Sequence, residues 1–403
     1  MQVTAVIAEY NPFHNGHKYH IEQTWKKTDN SFIMAIMSGN FVQRGEPALL
    51  DKRERARIAL MNGADLVVEL PVQWATASAE RFARGAVYIA HQAGIVNNLS
   101  FGCEDEDIVV LQQIARILND KVYSREIKNY YDEHMCSYPE ARSAVVSEIL
   151  GKDCSCIMMR PNNILAIEYL KALMSFRSDI KPVGIERNST GHDSALINGN
   201  ITSAMNIRNL IKTNKDYGKF VPNNSIEVFR ENIEKGTFPA LYSNLETAVL
   251  AHLRKMNPSD FAGTPDVAEG IEHRIVEAVK TSVSLNEIFD KVKTKRYTHA
   301  RIRRIILSSF LGITAEDVVS FPPYIRVLGL NDNGRMMLKE MKNKYFVPVV
   351  MKYGDVKYLD DSARRVFATE STATDLYNLS LPERRPCGTD MTDEIIYIPN
   401  DKI

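Results

Sequence analysis

The chain opens with the apolar run Val3-Thr4-Ala5-Val6-Ile7-Ala8, and the segment Asn11-Pro12-Phe13-His14-Asn15-Gly16-His17 follows almost at once. An unbroken apolar run of this length is typical of a parallel strand that is buried on both faces. Ligands of parallel sheets bind beyond the carboxyl ends of the strands. This junction therefore predicts the first strand of a parallel sheet, with a binding loop at its end.

The paired histidines of this loop favour a phosphate ligand. His14 and His17 are three positions apart, so both imidazoles lie on one side of the first turn if a helix begins here. Gly16 removes a side chain where a phosphate must approach the backbone, and a helix from about Lys18 to Lys26 would add the positive end of its dipole. A His-x-Gly-His segment elsewhere is usually an ordinary polar loop, but after the first strand of a parallel sheet we expect it to bind ATP.

Length and composition limit the classes of protein that are possible. With 403 residues, 44% of them apolar and 25% charged, the chain predicts a globular protein of two domains. It has no apolar run long enough to span a bilayer and no signal-peptide pattern, so we expect a cytoplasmic protein without a membrane partner. The five cysteines are odd in number and scattered, which suits a reducing compartment. Cys154-Ser-Cys156 lacks the second pair of a zinc ribbon, so we expect no protein-bound metal.

The first half of the chain alternates strand-like and helix-like segments, as a βαβ sheet does. We expect residues 1–220 to form a doubly wound, Rossmann-like parallel sheet that binds ATP. The predicted strands are Val3–Ala8, Phe32–Met37, Leu66–Leu70, Leu99–Gly102 and Pro182–Glu186. The predicted helices between them are Asp51–Asn62, Ser78–Gln92, Asp107–Asn119, Tyr138–Leu150 and Asn163–Phe176.

Residues 221–403 follow a different pattern, which predicts a mainly helical second domain with a small α/β tail. The segment Ile226–Leu311 reads as almost wholly helical, and Pro322-Pro323 marks a break after it. The tail is predicted to contain, in order, a strand Tyr324–Gly329, a helix Asn333–Met341, a strand Val347–Lys352 and a helix beginning near Asp361.

One basic stretch stands out in the second half. The net charge of zero excludes a globally basic nucleic-acid coat but not a local patch. Tyr297 and His299 are interleaved in the stretch, which could follow an RNA phosphate backbone. It could equally be the solvated face of a helix whose apolar side holds Ile302, Ile305 and Ile306. The basic residues of the stretch are Lys291, Lys293, Lys295, Arg296, Arg301, Arg303 and Arg304.

A second polar segment lies at Ile201-Thr202-Ser203-Ala204-Met205-Asn206-Ile207-Arg208. Thr202 or Ser203 can cap a helix, and Arg208 could then reach a phosphate. Such a segment alone is common in capped helices. Together with His14-Asn15-Gly16-His17, however, it resembles the two signatures of the HIGH-type nucleotidyltransferase superfamily, although Ala204-Met205 stand where further hydroxyl groups often occur.

Four longer segments make the resemblance more specific. With them the chain resembles the tRNA(Met) cytidine acetate ligase family of that superfamily, nearly from end to end. The resemblance implies that acetate attacks the α-phosphate of ATP to give acetyl-adenylate and pyrophosphate. The acetyl group then passes to N4 of the wobble cytidine, position 34, of elongator tRNA(Met), giving N4-acetylcytidine. The four segments are Ser38–Ala48, Asn62–Pro71, Ser100–Glu104 and Arg160–Leu165.

The resemblance also implies a set of ATP-binding residues. Gly102 ends a strand where adenosine needs a close approach, Asn162 begins a helix, as an ATP contact or simply as an N-cap, and Arg187 follows a strand at the same edge of the sheet. We expect His14 and His17 to be catalytic by holding the triphosphate, together with Mg²⁺ on the phosphates. The complete set is Ile7, Ala8, Glu9, Tyr10, Asn11, Pro12, Phe13, His14, Asn15, Gly16, His17, Lys18, Tyr19, His20, Gly102, Asn162, Arg187 and Ser203.

The other two substrates need their own contacts. We expect Arg44, which follows the second strand, to bind the acetate carboxylate or the α-phosphate. The stretch Lys291–Arg304 would bind tRNA, with Lys52, Arg53 and Arg57 as further contacts near the catalytic crevice. The sequence does not determine the oligomeric state or which residue reads the anticodon.

Two other functions remain open from the sequence. A small-molecule adenylyltransferase of the same superfamily would share the histidine segment, but it does not explain a basic helical second half. A non-catalytic RNA-binding protein could retain the fold, but it has no need of the intact histidine pair.

Overall fold

One large sheet organises this computed structural model, which describes residues 1–104, 108–151, 153–186, 199–318 and 320–402. Its strand order is β10-β8-β5-β2-β1-β6-β7, with β9 paired to β8, while β3 and β4 form a separate antiparallel hairpin. The strands are β1 (Val3–Ala8), β2 (Phe32–Ser38), β3 (Phe41–Val42), β4 (Glu46–Pro47), β5 (Leu66–Leu70), β6 (Asn98–Cys103), β7 (Lys181–Glu186), β8 (Ile325–Leu330), β9 (Val349–Val350) and β10 (Ile396–Tyr397).

The five strands predicted in the first half are confirmed, each within one residue at either end. They are parallel in the order β5-β2-β1-β6-β7. The chain first builds the sheet outward from β1 on one side and then on the other, so the order reverses between β1 and β6. A doubly wound sheet binds its ligand at such a reversal. The predicted fold class is therefore confirmed, and the topology places the binding crevice beyond Ala8 and Cys103.

The helices that cover the sheet follow the predicted ones closely, apart from the start of the first helix and three helices that were not predicted, of which Val72–Ala75 and Ser155–Met159 are short. The first helix begins at Asn15 and not near Lys18, because His14 itself caps it. A helix from Lys121 to His134 was not predicted. The helices are α1 (Asn15–Lys27), α2 (Lys52–Met61), α3 (Val72–Ala75), α4 (Ala79–Gln92), α5 (Ile108–Asn119), α6 (Lys121–His134), α7 (Tyr138–Leu150), α8 (Ser155–Met159), α9 (Pro161–Ser175), α10 (Ala204–Lys212), α11 (Asn223–Glu234), α12 (Tyr242–Leu253), α13 (Ile271–Lys280), α14 (Leu285–Val292), α15 (His299–Leu311), α16 (Asp332–Met341), α17 (Asp361–Tyr377) and α18 (Thr389–Thr392).

The carboxyl-terminal tail belongs to the large sheet. Strand β8 pairs antiparallel with β5, and β9 and β10 pair parallel with β8. The predicted boundary at residue 220 therefore does not describe the tail: residues 221–403 are not one separate helical domain, because their strands extend the sheet of the first half. The predicted strand Val347–Lys352 is also shorter, with pairing limited to Val349–Val350.

The helical segment α12–α15 has a core of its own, which also takes side chains from the sheet half. Ile275, Ile288 and Ile305 are fully buried there. Phe41 of β3 and Tyr377 of α17 belong to the same core, with ring centroids 6.2 Å apart. The β3–β4 hairpin is thus packed against the helical segment. None of the helices in the described ranges is both long and apolar enough to cross a bilayer.

Candidate active site

A cavity lies at the carboxyl ends of β1, β6 and β7, where the topology predicts the ligand. Most of the predicted ATP-binding residues line it, and so does Arg44. Arg187 lies outside the described residues. The predicted residues that line the cavity are Ile7, Ala8, Glu9, Tyr10, Asn11, His14, Gly16, His17, Tyr19, His20, Gly102, Asn162 and Ser203.

The two histidines form the amino-terminal cap of α1. His14 is the N-cap residue, and its Nδ1 accepts a hydrogen bond from the Gly16 amide at 3.0 Å. Nδ1 of His17 accepts from the His14 amide at 3.3 Å, which completes a capping box. Because both Nδ1 atoms accept, a neutral imidazole carries its proton on Nε2. The rings are 3.9 Å apart between centroids, so one helix end holds both imidazoles side by side.

Gly16 is required by the cap itself. A Cβ at this position would lie 2.8 Å from Cε1 and 3.0 Å from Nδ1 of His14. These separations are shorter than van der Waals contact, so any other residue would displace the imidazole. The cap itself therefore gives a local reason for glycine at position 16. The close approach of a phosphate to the backbone stays a prediction.

Four predicted residues of the histidine segment do not line the cavity, and three of them support the loop. Phe13 is fully buried and packs against His17, with ring centroids 5.6 Å apart. Pro12 is buried beside it, after a cis peptide bond. Asn15 donates to the carbonyl oxygens of Asn200 and Lys219 at 2.9 and 3.0 Å. Lys18 is exposed on α1.

A second helix end reaches the cavity from α10. Ser203 is its N-cap, and its Oγ accepts from the Asn206 amide at 3.2 Å. Arg208 donates to the carbonyl oxygen of Asn11 at 2.8 Å, so the late segment is bonded directly to the histidine segment. The amino termini of α1 and α10 therefore meet at one cavity, and helix amino termini favour anions.

Asn162 has a different role from a helix cap. The N-cap of α9 is Arg160, and Asn162 lies within the first turn. Its Nδ2 donates to Oε1 of Glu104 at 2.5 Å, while Oδ1 of Asn163 accepts from the Glu104 amide at 2.9 Å. The two asparagines thus hold the residue that follows β6 at the cavity edge.

Arg55 joins the ends of the first two strands. It is almost fully buried, and its guanidinium donates to the carbonyl oxygens of Glu9 and Ser38 at 2.5 and 3.1 Å, and also to that of Gly39. The backbone after β1 and the backbone after β2 are therefore held by one side chain. This contact accounts for part of the segment Ser38–Ala48 that the family resemblance singled out.

Arg44 lies in the turn of the β3–β4 hairpin, beside the end of β1. Its Nη1 is 3.9 Å from Sδ of Met205 at the start of α10. The preceding amide, that of Gln43, donates to Oε1 of Glu9 at 2.9 Å. On the other side of the turn, Gly45 has φ +76°, and a Cβ there would lie 2.9 Å from the backbone of Arg303. The hairpin thus lies between the cavity and helix α15.

The residues that the sequence analysis missed come mainly from helices. Phe82 of α4 and Tyr169 of α9 line the cavity, as does Gln43 of the hairpin. Neither aromatic residue has a local signal, because its spacing is that of an ordinary core position. Burial raises the pKa of Tyr169 well above its usual range, so its hydroxyl remains protonated in the cavity.

The comparisons with known proteins agree with this geometry. The family model described as HIGH Nucleotidyl Transferase matches residues 1–390. A protein of Acetivibrio thermocellus named tRNA(Met) cytidine acetate ligase is 37% identical, over 98% of this chain and all of its own. One of Clostridium tetani with the same name is 39% identical over 87% of this chain and 90% of its own. The chain belongs to the tRNA(Met) cytidine acetate ligase family of HIGH nucleotidyltransferases.

A solved structure of this family matches the whole fold. Thermotoga maritima TmcAL, crystallised with α-thio ATP, superposes with a TM-score of 0.92 at 32% identity, over 99% of this chain and all of that one. The apo form of the same protein superposes with a TM-score of 0.93. The neighbour that was crystallised with this ATP analogue therefore has the same fold as this chain.

The residues of the basic stretch Lys291–Arg304 differ in their exposure to solvent. Its first four basic residues, Lys291, Lys293, Lys295 and Arg296, are exposed. The three arginines of α15 are only partly exposed, and two of them bind the loop at residues 266–269. Arg301 and Arg304 donate to the carbonyl oxygen and to Oδ2 of Asp266, each at 3.1 Å. The stretch therefore has a solvated amino-terminal part followed by a packed helix, and RNA binding by its basic residues stays a prediction.

The expectation that Lys52 and Arg53 contact RNA is wrong. Lys52 is fully buried, with Nζ 2.7 Å from Glu69, 2.9 Å from Asp390 and 3.1 Å from Glu370. Arg53 is 3.3 Å from Asp390 in the same cluster. These charges join α2 to the tail, and the carboxylates that compensate them come from residues far away in sequence. Arg57 pairs with Glu231 at 2.6 Å on the surface.

The described residues contain no group of three or more His, Cys, Asp or Glu side chains close enough to hold a metal ion.

Proposed function

We propose that this protein activates acetate with ATP and transfers the acetyl group to N4 of the wobble cytidine, position 34, of elongator tRNA(Met), giving N4-acetylcytidine. The observation that carries the proposal is the His14–His17 cap, which faces a cavity at the reversal point of the sheet. Support comes from relatives of the same name that are similar along nearly the whole chain.

In the first step, the site would act by positioning and by neutralising charge. Displacement at a phosphorus atom needs donors on the triphosphate and an aligned nucleophile, not a protein nucleophile. The Nε2–H groups of His14 and His17 and the amino termini of α1 and α10 supply such donors at one end of the cavity. ATP would enter as its Mg²⁺ complex, in which phosphate oxygens and water provide most of the ligands.

Arg44 would bind the acetate carboxylate or the α-phosphate. It is the guanidinium of the hairpin turn that lines the cavity, and Glu9 at the end of β1 is held by the same turn. A carboxylate that attacks phosphorus must be brought close to an anionic phosphate, and an adjacent guanidinium reduces the repulsion between them.

In the second step, tRNA would approach along the helical segment. The exposed residues Lys291, Lys293, Lys295 and Arg296 precede α15. Helix α15 contacts the Arg44 hairpin through Gly45, so a phosphate backbone on the basic stretch would pass toward the cavity. This activity places the protein in the cytoplasm, with no membrane partner.

Pyrophosphate exchange with and without acetate tests the proposal. Exchange of labelled pyrophosphate into ATP should require acetate, and labelled acetate should enter the tRNA only when ATP is present. Exchange that needs a phosphorylated cofactor precursor would indicate a small-molecule adenylyltransferase. No exchange with any carboxylic acid, with tRNA binding retained, would indicate a non-catalytic RNA-binding protein.

A further inference from the structure

Glu9 is a carboxylate held in a defined orientation inside the cavity. It directly follows β1 and lines the same cavity as the histidine cap. Its Oε1 accepts the Gln43 amide at 2.9 Å. Among the described residues, no hydrogen bond involves Oε2. The turn that carries Arg44 therefore fixes one oxygen of this carboxylate and leaves the other for a ligand in the cavity.

The surroundings of Glu9 suit a group that exchanges a proton. Burial raises its pKa, while the Gln43 amide and the guanidinium groups of Arg208 and Arg44 act in the opposite direction. The other titratable groups that interact electrostatically with Glu9 are Glu46, Tyr169 and Arg55. A partly desolvated carboxylate between two arginines can remain ionised and is a stronger proton acceptor than an exposed one.

The acetyl-transfer step needs a proton acceptor. The exocyclic amine of cytidine is a weak nucleophile, because its lone pair is delocalised into the ring. When the nitrogen attacks the acetyl carbonyl carbon, the C–N bond forms and the C–O bond to the phosphate of acetyl-adenylate breaks. AMP leaves with that electron pair, and the nitrogen must lose one proton.

The cap histidines and the arginines near Glu9 are donors, and the neighbouring carboxylate of Glu46 is not among the described residues that line the cavity. Both cap histidines use Nδ1 as an acceptor within the cap, which leaves a proton on Nε2. Arg44 and Arg208 have no acceptor atom. Glu186, the other carboxylate in the described lining, is exposed at the end of β7. Glu9 is the acceptor at the end of β1, beside the hairpin and the two helix amino termini.

We propose that Glu9 is the catalytic base of acetyl transfer, accepting the proton that the cytidine N4 amine loses as it attacks acetyl-adenylate. This inference rests on the proposed function and adds a residue to its second step. The two groups would then act in different steps: the histidine cap acts on the triphosphate, and Glu9 acts on the amine.

The variant Glu9→Gln tests this assignment, because its amide oxygen can still accept the Gln43 amide but cannot take a proton. Acetate-dependent pyrophosphate exchange needs no proton acceptor, so it should fall far less than the transfer step does. Hydroxylamine, a strong nucleophile that needs no base, should still trap the activated acetyl group as acetohydroxamate. Single-turnover transfer to saturating tRNA should fall about 100-fold or more, the usual effect of losing a general base.

A matched control is Glu46→Gln. Glu46 is 3.7 Å from Arg208, as a neighbouring carboxylate of the same cluster, but it is not among the described residues that line the cavity. Both half-reactions should stay close to wild type in this variant.

In the wild type the transfer rate should rise with pH up to the pKa of Glu9, and this dependence should disappear in Glu9→Gln. If Glu9→Gln proves insoluble, Glu9→Asp should retain the pH dependence at a lower rate.

Three results would overturn the inference, and they are distinguishable. Equal loss of exchange and transfer in Glu9→Gln would place Glu9 in nucleotide binding. Transfer at the wild-type rate would exclude it as the base. A wild-type protein without acetate-dependent exchange would refute the proposed function itself, before Glu9 is considered.

Discussion

Replacing His14 with asparagine should separate the structural role of the imidazole from its catalytic role. In the structure, Nδ1 caps α1 through the Gly16 amide, and Nε2 carries the proton that we assign to the triphosphate. The side-chain oxygen of asparagine can take the position of Nδ1, and asparagine is among the best N-cap residues. The His14→Asn variant should therefore keep the cap and lose the donor.

The expected magnitudes follow from these two contacts. Loss of one hydrogen bond to a charged phosphate group costs about 1.5–3 kcal/mol. This corresponds to a decrease of about 10- to 150-fold in kcat/KM for pyrophosphate exchange. His14→Ala should lose the same donor and also about 1 kcal/mol of unfolding free energy, because the helix loses its cap.

The assay combines acetate-dependent pyrophosphate exchange with urea unfolding of both variants. His273→Asn is a suitable control, since His273 has a 72% exposed side chain on the distant helix α13. Near-normal exchange in His14→Asn would show that Nε2 does not act on the triphosphate. A loss of stability in His14→Asn as large as in His14→Ala would contradict the assigned cap.

Three further predictions concern other parts of the chain. In Gly16→Ala, the new Cβ would lie only 2.8 Å from the His14 ring and would displace it. Pyrophosphate exchange should therefore fall roughly tenfold or more, while the free energy of unfolding changes little, because alanine favours the helix by about 1 kcal/mol. A fully active variant would contradict this geometry. The double variant Lys293→Glu, Lys295→Glu should weaken tRNA binding and leave pyrophosphate exchange unaffected. The slope of the logarithm of the binding constant against the logarithm of the salt concentration should become shallower by about one unit per lost phosphate contact. Filter binding at several salt concentrations measures both quantities, and an unchanged affinity would show that tRNA binds to another surface. Burial and the neighbouring Glu69 raise the pKa of Glu370 from 4.5 to about 8, so the native protein binds more protons than the unfolded chain in this window and its stability should fall as pH rises through it. Glu370→Gln should reduce that slope in urea titrations, whereas an unchanged slope would place the buried proton on another group.

Much of the fold could be predicted because its signals are local. The run Val3–Ala8 needs only its own residues to indicate a buried strand, and the predicted helix Asp51–Asn62 agrees with α2 within one residue at either end. The helix at Lys121–His134 was missed; it is mostly exposed and buries only Ile127. The start of α1 was placed too late, because an imidazole is an uncommon N-cap.

The site was predictable to the extent that it lies on one loop. The histidine segment and Arg44 were found from the sequence, and they line one cavity. Pro12, Phe13, Asn15 and Lys18 were included by position alone, and their side chains support the loop or face outward. Phe82 and Tyr169 reach the cavity from helices, where only packing decides which side chain faces the ligand.

The sequence by itself determined where the parallel strands lie along the chain and which residue types follow the first one, since both depend on short segments. Only the tertiary structure decided which charged side chains are buried and which sheet the carboxyl-terminal strands join. Lys52 looks like a surface lysine in sequence, yet it is buried because Glu69, Glu370 and Asp390 surround it. Strand β8 looks like part of a second domain, yet it pairs with β5. Pairing between residues hundreds of positions apart leaves no local pattern, because each partner alone resembles an ordinary polar or apolar residue.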